Sequence, residues 1–253
     1  MKLCRDLGLI YMDTLKENVR NLVWLLISLS TPILYLVLFT PLLKDVSGPG
    51  LSSNHVLNEF MPGILILMAF GTGIGLGFTV VFQIMEGQTE RYRVTPASRL
   101  ALLLAPILAQ LTMLTIFLAI VIIIGVPLGY TVHLPGLLAT WFLVALVMLV
   151  FASISIGIAF TTRVISTFAA FVNGINLPVL LLSGVLLPIT AKSPMWLQVL
   201  AHVNPLYYGV TASRLLSSGV FGDAKVGLAF AVLVPLAILL VAWSTNIYRN
   251  ANA

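Results

Sequence analysis

The sequence predicts an all-α integral membrane protein with six transmembrane helices, an N-terminal amphipathic interfacial helix, and two short re-entrant helices before the last span. Of its 253 residues, 60% are hydrophobic and only 8% are charged, whereas soluble domains carry about 25% charged residues. The mean hydropathy is +1.09. Residues 60–85 and 100–162 contain no Asp, Glu, Lys or Arg. Because such runs are typical of membrane spans, residues 1–253 are predicted to form a single transmembrane domain.

The first segment, residues 1–20, is the predicted interfacial helix. One stripe of the helix follows i, i+3, i+4 spacing and consists of Leu3, Leu7, Ile10, Tyr11 and Thr14. The charged residues lie mostly off that stripe, which is typical of a helix lying on a membrane surface. The alternative is a cytosolic extension that only orients the first span. Both interpretations place the segment in the cytoplasm.

A transmembrane helix needs about 20 apolar residues, and six segments meet that requirement. They are residues 22–43, 60–84, 100–126, 134–160, 166–187 and 226–248. Basic residues then set the orientation, because cytoplasmic segments carry an excess of Lys and Arg. With the N-terminus inside, nine basic residues lie in inner segments and four in outer segments, namely Lys44, Lys192, Arg214 and Lys225. Both termini are therefore predicted to be cytoplasmic.

The outer segment, residues 188–225, is apolar but interrupted by prolines. A short helix is predicted over 195–203 and a second over 206–216, separated by Asn204-Pro205. Ser193 is the predicted N-cap of the first helix, with Pro194 at its first position. Helices this short cannot span a bilayer, which favours a re-entrant arrangement. The alternative is surface anchoring, because Trp196, Tyr207 and Tyr208 suit the headgroup region.

Residues 86–99, EGQTERYRVTPASR, form a polar island between two uncharged runs. A charge at the bilayer centre costs roughly 2.5–3.5 kcal/mol, so this loop is predicted to lie in water on the cytoplasmic side. Glu86 and Glu90 are four residues apart, and Arg93 follows Glu90 by three, a spacing that favours a short, internally paired helix. Pro96 would end it. The loop is interpreted as a contact with a soluble partner, and the alternative is a solvated connection.

Several classes of function are disfavoured by the composition. The net charge is +5, but the basic residues lie at the ends of apolar runs and form no single stripe, so no nucleic-acid partner is expected. A single cysteine, Cys4, excludes an intrachain disulfide. His55, His133 and His202 have no ligand-like spacing, so no metal site is expected. The sequence has no phosphate-binding loop motif, and no cleavable signal peptide is expected.

Uncharged polar and small residues mark the predicted spans. The second span carries two overlapping G-x-x-x-G pairs, formed by Gly71, Gly73, Gly75 and Gly77. Such pairs favour close helix packing, and a sliding surface along a transport path is the alternative. Gln110, Asn173 and Asn176 are interpreted as interhelical hydrogen-bonding groups or as the lining of a polar route. The predicted spans contain no charged residue, which disfavours ion-coupled transport and favours a substrate with a large apolar part.

Three stretches carry a resemblance to a known family. The loop 86–99 is similar to the pattern E-x-G-T-x-E-x-L-x-V-T-P-x-S-R. The second stretch has LSGV at 182–185, LPI at 187–189, then Pro194, Trp196 and Leu197. The third has NPLYY at 204–208 followed by Arg214, similar to N-P-L-x-Y…R. Together with six spans, they resemble the ABC-2 family of ABC transporter permeases, especially the drug-resistance and nodulation-type exporters, over nearly the whole chain.

The resemblance implies a half-transporter in a bacterial plasma membrane. Two permease subunits would pair, as a homodimer, with two copies of a separate ATPase that binds ATP and Mg, so this chain would be no enzyme and hold no cofactor. The implied ATPase-coupling residues are Glu86, Gly87, Thr89, Glu90, Arg91, Pro96, Ser98 and Arg99. The implied re-entrant region includes Pro194, Trp196, Asn204, Pro205, Tyr207, Tyr208 and Arg214. The loop departs from the family pattern in Gln88, which separates the Gly-Thr pair, and in Arg93, which replaces an apolar residue.

The implied function is export of an amphiphilic drug, antibiotic, lipid or glycan-lipid from the cytoplasm or inner leaflet, with membrane lipid as a further partner. A membrane-embedded enzyme is disfavoured because acids and histidines are sparse and scattered. A channel or secondary transporter is disfavoured by the uncharged spans. A non-transporting anchor or assembly subunit stays open, because docking would use the same loop.

Overall fold

The structure is a computed structural model that describes residues 2–20, 22–46, 53–87, 99–185 and 193–251. These residues contain helices and turns but no β-strand. The helices are α1 (Lys2–Arg20), α2 (Leu22–Val46), α3 (Ser53–Met85), α4 (Arg99–Gly125), α5 (Leu134–Thr162), α6 (Ile165–Leu181), α7 (Met195–Val203), α8 (Pro205–Ser217) and α9 (Ala224–Ala251). A 3₁₀ turn, Val126–Leu128, follows α4. At several helix ends only the backbone is described.

The all-helical class is confirmed, and four of the six predicted spans are long and apolar enough to cross a membrane. These four are Leu57–Met85, Leu104–Leu128, Leu134–Thr162 and Ala224–Ile247. The predicted first span lies in α2, which meets α1 at a bend of 68°. If α1 and α2 together form one bent span, the number of candidate spans rises to five. The predicted span 166–187 corresponds to α6, which has 17 residues. This is fewer than the approximately 20 residues that a straight crossing requires.

The core lies where α3 and α5 pack along one another, and α9 packs on another face of α5. Met61, Ile64 and Leu65 of α3 are buried, as are Leu143 and Met148 of α5. Lipid tails are as apolar as these side chains, so helices in a bilayer associate through close packing. Gly157 of α5 provides such an approach, because a Cβ there would collide with the indole of Trp243 on α9. In contrast, α9 exposes Ile238 and Leu239.

Helix α1 packs against α4, one of the membrane-spanning helices. The hydroxyls of Tyr11 and Thr112 are hydrogen-bonded at 3.0 Å, and the Asn18 side-chain amide donates to Gln110 Oε1 at 3.3 Å. The predicted stripe is half-buried at its described positions, Leu7, Ile10, Tyr11 and Thr14, and Lys16 is exposed. The amphipathic pattern therefore corresponds to a helix–helix contact in this structure.

The two short helices before the last span begin and end close to their predicted bounds. The N-cap of α7 is Pro194, which makes no side-chain capping bond, so the prediction of Ser193 as N-cap is wrong. Asn204 caps α8 instead, because its side-chain oxygen accepts from the Leu206 N–H at 3.0 Å. Pro205 then occupies the first turn, where its missing N–H leaves no intrahelical bond unmade.

Candidate functional site

A polar cavity of about 490 Å³ lies among α1, α2, α3, α4 and α6. Its polar lining, among the residues that the structure describes, comes from amides and hydroxyls and includes Ser28, Thr31, Thr72, Thr79, Gln110 and Asn176. The rest of the lining is mostly aromatic and aliphatic, including Phe70 and Phe117. The volume lies in the range of small-molecule pockets, which combine apolar walls with a few convergent polar groups.

The polar cavity brings together four of the predicted pathway residues: Gly71, Gly75, Gln110 and Asn176. Gln110 has a structural role as well, because it accepts the hydrogen bond from Asn18 that ties α1 to α4. Asn173, the remaining amide, is exposed and lines neither this cavity nor the apolar cavity described below. Of the three amides, two therefore border one space and the third does not.

The four glycines of α3 divide between two faces of the helix. At Gly71 and Gly75, an added Cβ would meet no heavy atom within 4 Å. At Gly73, it would lie 2.8 Å from the Met148 carbonyl oxygen of α5. At Gly77, it would collide with Ser155 and with the ring of Phe168. One G-x-x-x-G pair thus opens on the cavity, and the other permits close packing of α3 on α5 and α6.

An apolar cavity of about 380 Å³ lies among α3, α5, α6 and the junction of α7 with α8. The described residues that line it include two with polar side chains, Ser155 and Asn204. Ser155 Oγ donates to the Ile74 carbonyl at 2.7 Å. The Asn204 amide donates to the Val179 carbonyl at 2.7 Å while its oxygen caps α8. Because both side chains are engaged by backbone groups, this cavity presents a hydrocarbon surface.

The two cavities share a wall to which at least three side chains contribute. Phe70 and Ile74 of α3 and Val172 of α6 line both spaces. Asn176 and Leu180 of α6 face the polar cavity only. In contrast, Phe171, Ile175 and Val179 of the same helix face the apolar cavity. Helix α6 is therefore a partition with one face toward each space.

Contacts along α5 define how far α8 extends beside the membrane-spanning helices. The Leu216 carbonyl, near the end of α8, lies against Gly136 at the start of α5. Gly209, near the start of α8, lies against Val147 in the middle of α5. These contacts are eleven residues apart on α5, which is about 17 Å at 1.5 Å per residue. Helix α8 thus runs antiparallel to α5 and begins near its midpoint.

Arg214 holds this region together from α8. Its Nε donates to the Glu59 carbonyl of α3 at 3.0 Å. Its Nη2 donates to the carbonyls of Gly184 at 2.9 Å and Val185 at 3.1 Å, in the turn after α6. The fixed fork of a guanidinium is suited to such divergent acceptors. One side chain therefore connects three segments.

The aromatic residues predicted for this region take different environments. Trp196 is exposed on α7, next to exposed Met195. Tyr208 donates its hydroxyl hydrogen to the His202 carbonyl at 2.9 Å, and Tyr207 packs against the His202 ring at 5.1 Å between centroids. The two tyrosines therefore stabilise the corner between α7 and α8, and only Trp196 has the exposure expected of a headgroup anchor.

Comparison with protein families identifies the family of this chain. The model of the ABC-2 type transporter family matches residues 5–217. The chain belongs to the ABC-2 type transporter family. It is a multi-pass membrane protein and a transport permease of an ABC system, and membership implies an ATPase partner.

Relatives of this ABC-2 chain include a daunorubicin resistance ABC transporter permease protein, DrrB1, from Streptomyces coeruleorubidus. The two are 26% identical over 227 residues, covering 88% of this chain and 78% of that protein. A putative transport permease, ycf38, from Cyanophora paradoxa is 29% identical over 222 residues, covering 83% and 74%. The ycf38 protein of Pyropia yezoensis is 25% identical over 233 residues, covering 86% and 80%.

The ABC-2 loop predicted to contact the ATPase is described only at its two ends, residues 86–87 and Arg99. Gly87 has a positive φ of 71°, and its N–H donates to the Ile84 carbonyl at 3.1 Å. A left-handed glycine ends many helices, so α3 stops at the loop for a local reason. Glu86 is exposed beside it, and Arg99 begins α4. Five predicted coupling residues lie outside the described residues: Thr89, Glu90, Arg91, Pro96 and Ser98.

The hydroxyl side chains of the polar cavity were not among the residues predicted from the sequence. Ser28, Thr31 and Tyr35 of α2 have i, i+3, i+7 spacing, and Thr72, Gly75 and Thr79 of α3 have the same spacing. Residues at this spacing share one helix face. The repeated pattern in two apolar helices was the available signal, and it indicates which faces of α2 and α3 border the cavity of this ABC-2 permease.

Proposed function

We propose that this chain is the permease subunit of an ATP-driven exporter that moves an amphiphilic drug, antibiotic, lipid or glycan-lipid out of the cytoplasm or inner leaflet. The observation that carries this proposal is the polar cavity, a space lined by uncharged polar groups within the bundle of an ABC-2 permease. The transporter consists of two such permeases, as a homodimer, and two copies of a separate ATPase that bind ATP and Mg. It resides in a bacterial plasma membrane with both termini in the cytoplasm.

The depth of the polar cavity supports substrate entry from the inner side. Thr72 is thirteen residues from the predicted inner end of its helix at Met85, about 20 Å at 1.5 Å per residue. Gln110 is eleven residues from Arg99, and Asn176 is eleven from Ile165, about 17 Å in each case. Three polar groups from three helices thus lie at one level, and Thr79 lies nearer the inner end. These polar groups therefore lie near the middle of the predicted bilayer. The lining extends from them to Thr79 and to Asn18 of α1, which supports access from the inner side.

The source of energy follows from the chemistry of the lining. Proton- and sodium-coupled transporters use ionisable groups within the membrane, whereas the described lining of the polar cavity contains no Asp, Glu, Lys or Arg. The sequence also lacks a phosphate-binding loop. Energy then comes from ATP hydrolysis on the partner, transmitted through the loop 86–99. This loop joins α3 to α4, and both helices line the polar cavity.

The geometry of the outer region supports a re-entrant segment. Helix α8 begins near the midpoint of α5 and ends at its outer end, which supports a re-entrant arrangement of α7 and α8. We propose that residues 188–225 dip into the membrane from outside and that six segments, including the short α6, cross or enter the bilayer. Arg214 would then link the re-entrant helix to α3 at the outer surface.

Export can be tested in inside-out vesicles that contain this chain and the ATPase encoded or purified with it. Glu90→Lys reverses a charge of the loop, and Pro96→Ala removes the residue predicted from the sequence to end its helix. Both should lower ATP-dependent accumulation of a fluorescent amphiphile at least fivefold. Lys16→Ala, an exposed change on α1, is the matched control. Accumulation unchanged by both loop variants would refute the coupling role. ATPase binding without ATP-dependent transport would identify a non-transporting anchor.

A further inference from the structure

We propose that the two cavities form one divided binding site for an amphiphile. An uncharged hydrogen-bonding head, such as a sugar or a hydroxylated ring, occupies the polar cavity, and a hydrocarbon chain passes Val172 into the apolar cavity. This inference rests on the proposed function, because it names the substrate class and the pose that the export site accepts. The same head chemistry belongs to a glycolipid or to a glycosylated drug.

The division of polar groups between the two cavities identifies the two ends of the ligand. The polar cavity presents amide and hydroxyl groups, among them Gln110, Asn176 and Thr72, which can both donate and accept hydrogen bonds. A charged head is disfavoured because no described lining residue offers a counter-charge, and burying an unpaired charge is costly. In the apolar cavity, Ser155 and Asn204 are already satisfied by backbone groups, so this space offers a ligand only van der Waals contact.

The shared wall makes a single ligand possible. Val172 lies on α6 between Phe171, which faces the apolar cavity, and Asn176, which faces the polar cavity. It lines both spaces itself and is half-buried. On α3, Ile74 and Phe70 also line both cavities. Val172 is the smallest of these three side chains, so it is the point of the wall that the least movement opens.

Because the ligand enters the site from a bilayer, its polar head and its hydrocarbon chain contribute differently to selectivity. A hydrocarbon chain in lipid is already out of water, so its transfer into the apolar cavity gains no hydrophobic energy from water exclusion. A polar head in hydrocarbon, in contrast, needs hydrogen-bond partners. The head therefore selects the ligand, and the apolar cavity accommodates chains of different shape.

Photolabelling in lipid nanodiscs tests this pose with the full-length chain and without ATP. Two alkyl glucosides serve as probes, one with a diazirine at the end of the chain and one with a diazirine on the sugar. The chain-end probe should label Phe171, Ile175 and Leu200, and the sugar probe should label Thr72 and Gln110. Competition by a glycosyl diacylglycerol and by a glycosylated drug distinguishes the two sources of the head. The same alkyl chain on a trimethylammonium head should compete at least tenfold more weakly.

Variants of the wall provide the decisive comparison. Val172→Trp should reduce chain-end labelling of the apolar cavity at least fivefold and leave sugar labelling within twofold. The retained sugar labelling shows that Val172→Trp is folded, and Val172→Ala should maintain or increase chain-end labelling. Leu177→Trp, on an exposed position of the same helix that lines neither cavity, should change neither.

Chain-end labels spread evenly over exposed positions such as Ile238 and Leu239 would overturn the divided site. So would chain-end labelling that is the same in Val172→Trp and in the parent chain, or equal competition by the cationic amphiphile. Because labelling needs no nucleotide, these results are independent of transport. Export without the labelling pattern refutes the divided site alone, and the labelling pattern without ATP-driven export refutes the proposed function alone.

Discussion

Gly73 of α3 faces the main chain of Met148 on α5 so closely that a Cβ on Gly73 would lie 2.8 Å from the Met148 carbonyl oxygen. A backbone atom cannot move aside as the end of a flexible side chain can. This contact joins the two helices that build the core, and it places the opposite face of α3, with Gly71 and Gly75, on the polar cavity.

Gly73→Ala should therefore destabilise the bundle by about 1–3 kcal/mol, the usual cost of overpacking. Gly71→Ala is the matched control, because a Cβ there meets no heavy atom within 4 Å and alanine favours a helix over glycine by about 1 kcal/mol. Thermal unfolding in detergent measures both. Equal melting temperatures in the two variants would show that α3 and α5 are not in backbone contact.

Arg214→Ala should loosen the outer region, because it removes the donors for three backbone carbonyls, at Glu59, Gly184 and Val185. Leaving a buried acceptor unsatisfied costs about 1–3 kcal/mol. Arg214→Lys should recover only part of the stability, because an ammonium cannot reproduce the guanidinium fork. Hydrogen exchange of residues 182–185 and 57–60 reports the effect.

The control for Arg214 is Lys225→Ala, which removes an exposed charge on the same predicted side of the membrane. It should leave exchange at both segments unchanged. If residues 182–185 and 57–60 of Arg214→Lys are as protected from hydrogen exchange as those of the parent, the positive charge alone stabilises the region.

Asn204→Ala should separate α7 and α8 from α6, since Asn204 caps α8 and donates to the Val179 carbonyl. Loss of an N-cap typically costs about 1 kcal/mol, and the freed carbonyl adds to it. Asn204→Asp retains a capping oxygen but not the amide donor, so its melting temperature should fall between the parent and the alanine variant. An aspartate variant as stable as the parent would show that the bond to Val179 contributes nothing.

The fold was largely predictable because apolar runs, polar interruptions and prolines are local signals. The break at Asn204-Pro205 and the end of α3 before the polar loop are clear from the residues themselves. The short length of α6 was not, since residues 182–185 are as apolar as the helix but form a turn. The prediction of Ser193 as the N-cap failed because Pro194 occupies the N-cap position, directly before Met195.

The site was predictable only in part. Sequence marked all four glycines and three amides as special, but it could not tell which of the two interleaved G-x-x-x-G pairs packs and which borders a cavity. That choice depends on where α5 lies. The hydroxyls of Thr31, Thr72 and Thr79 gave no signal individually, because Ser and Thr in apolar helices commonly bond to their own backbone.

The most direct test of the central claim, that an ATP-driven substrate passes through the polar cavity, is transport by Gly75→Leu. The position borders the cavity and has free space around its Cβ, so leucine should fill the space without unfolding the bundle. Gly174→Leu on α6, also free of neighbours within 4 Å and lining neither cavity, is the control. In inside-out vesicles, we expect ATP-dependent accumulation of a fluorescent amphiphile to fall at least tenfold for Gly75→Leu and to persist for Gly174→Leu. Undiminished accumulation in a folded Gly75→Leu permease would contradict the account.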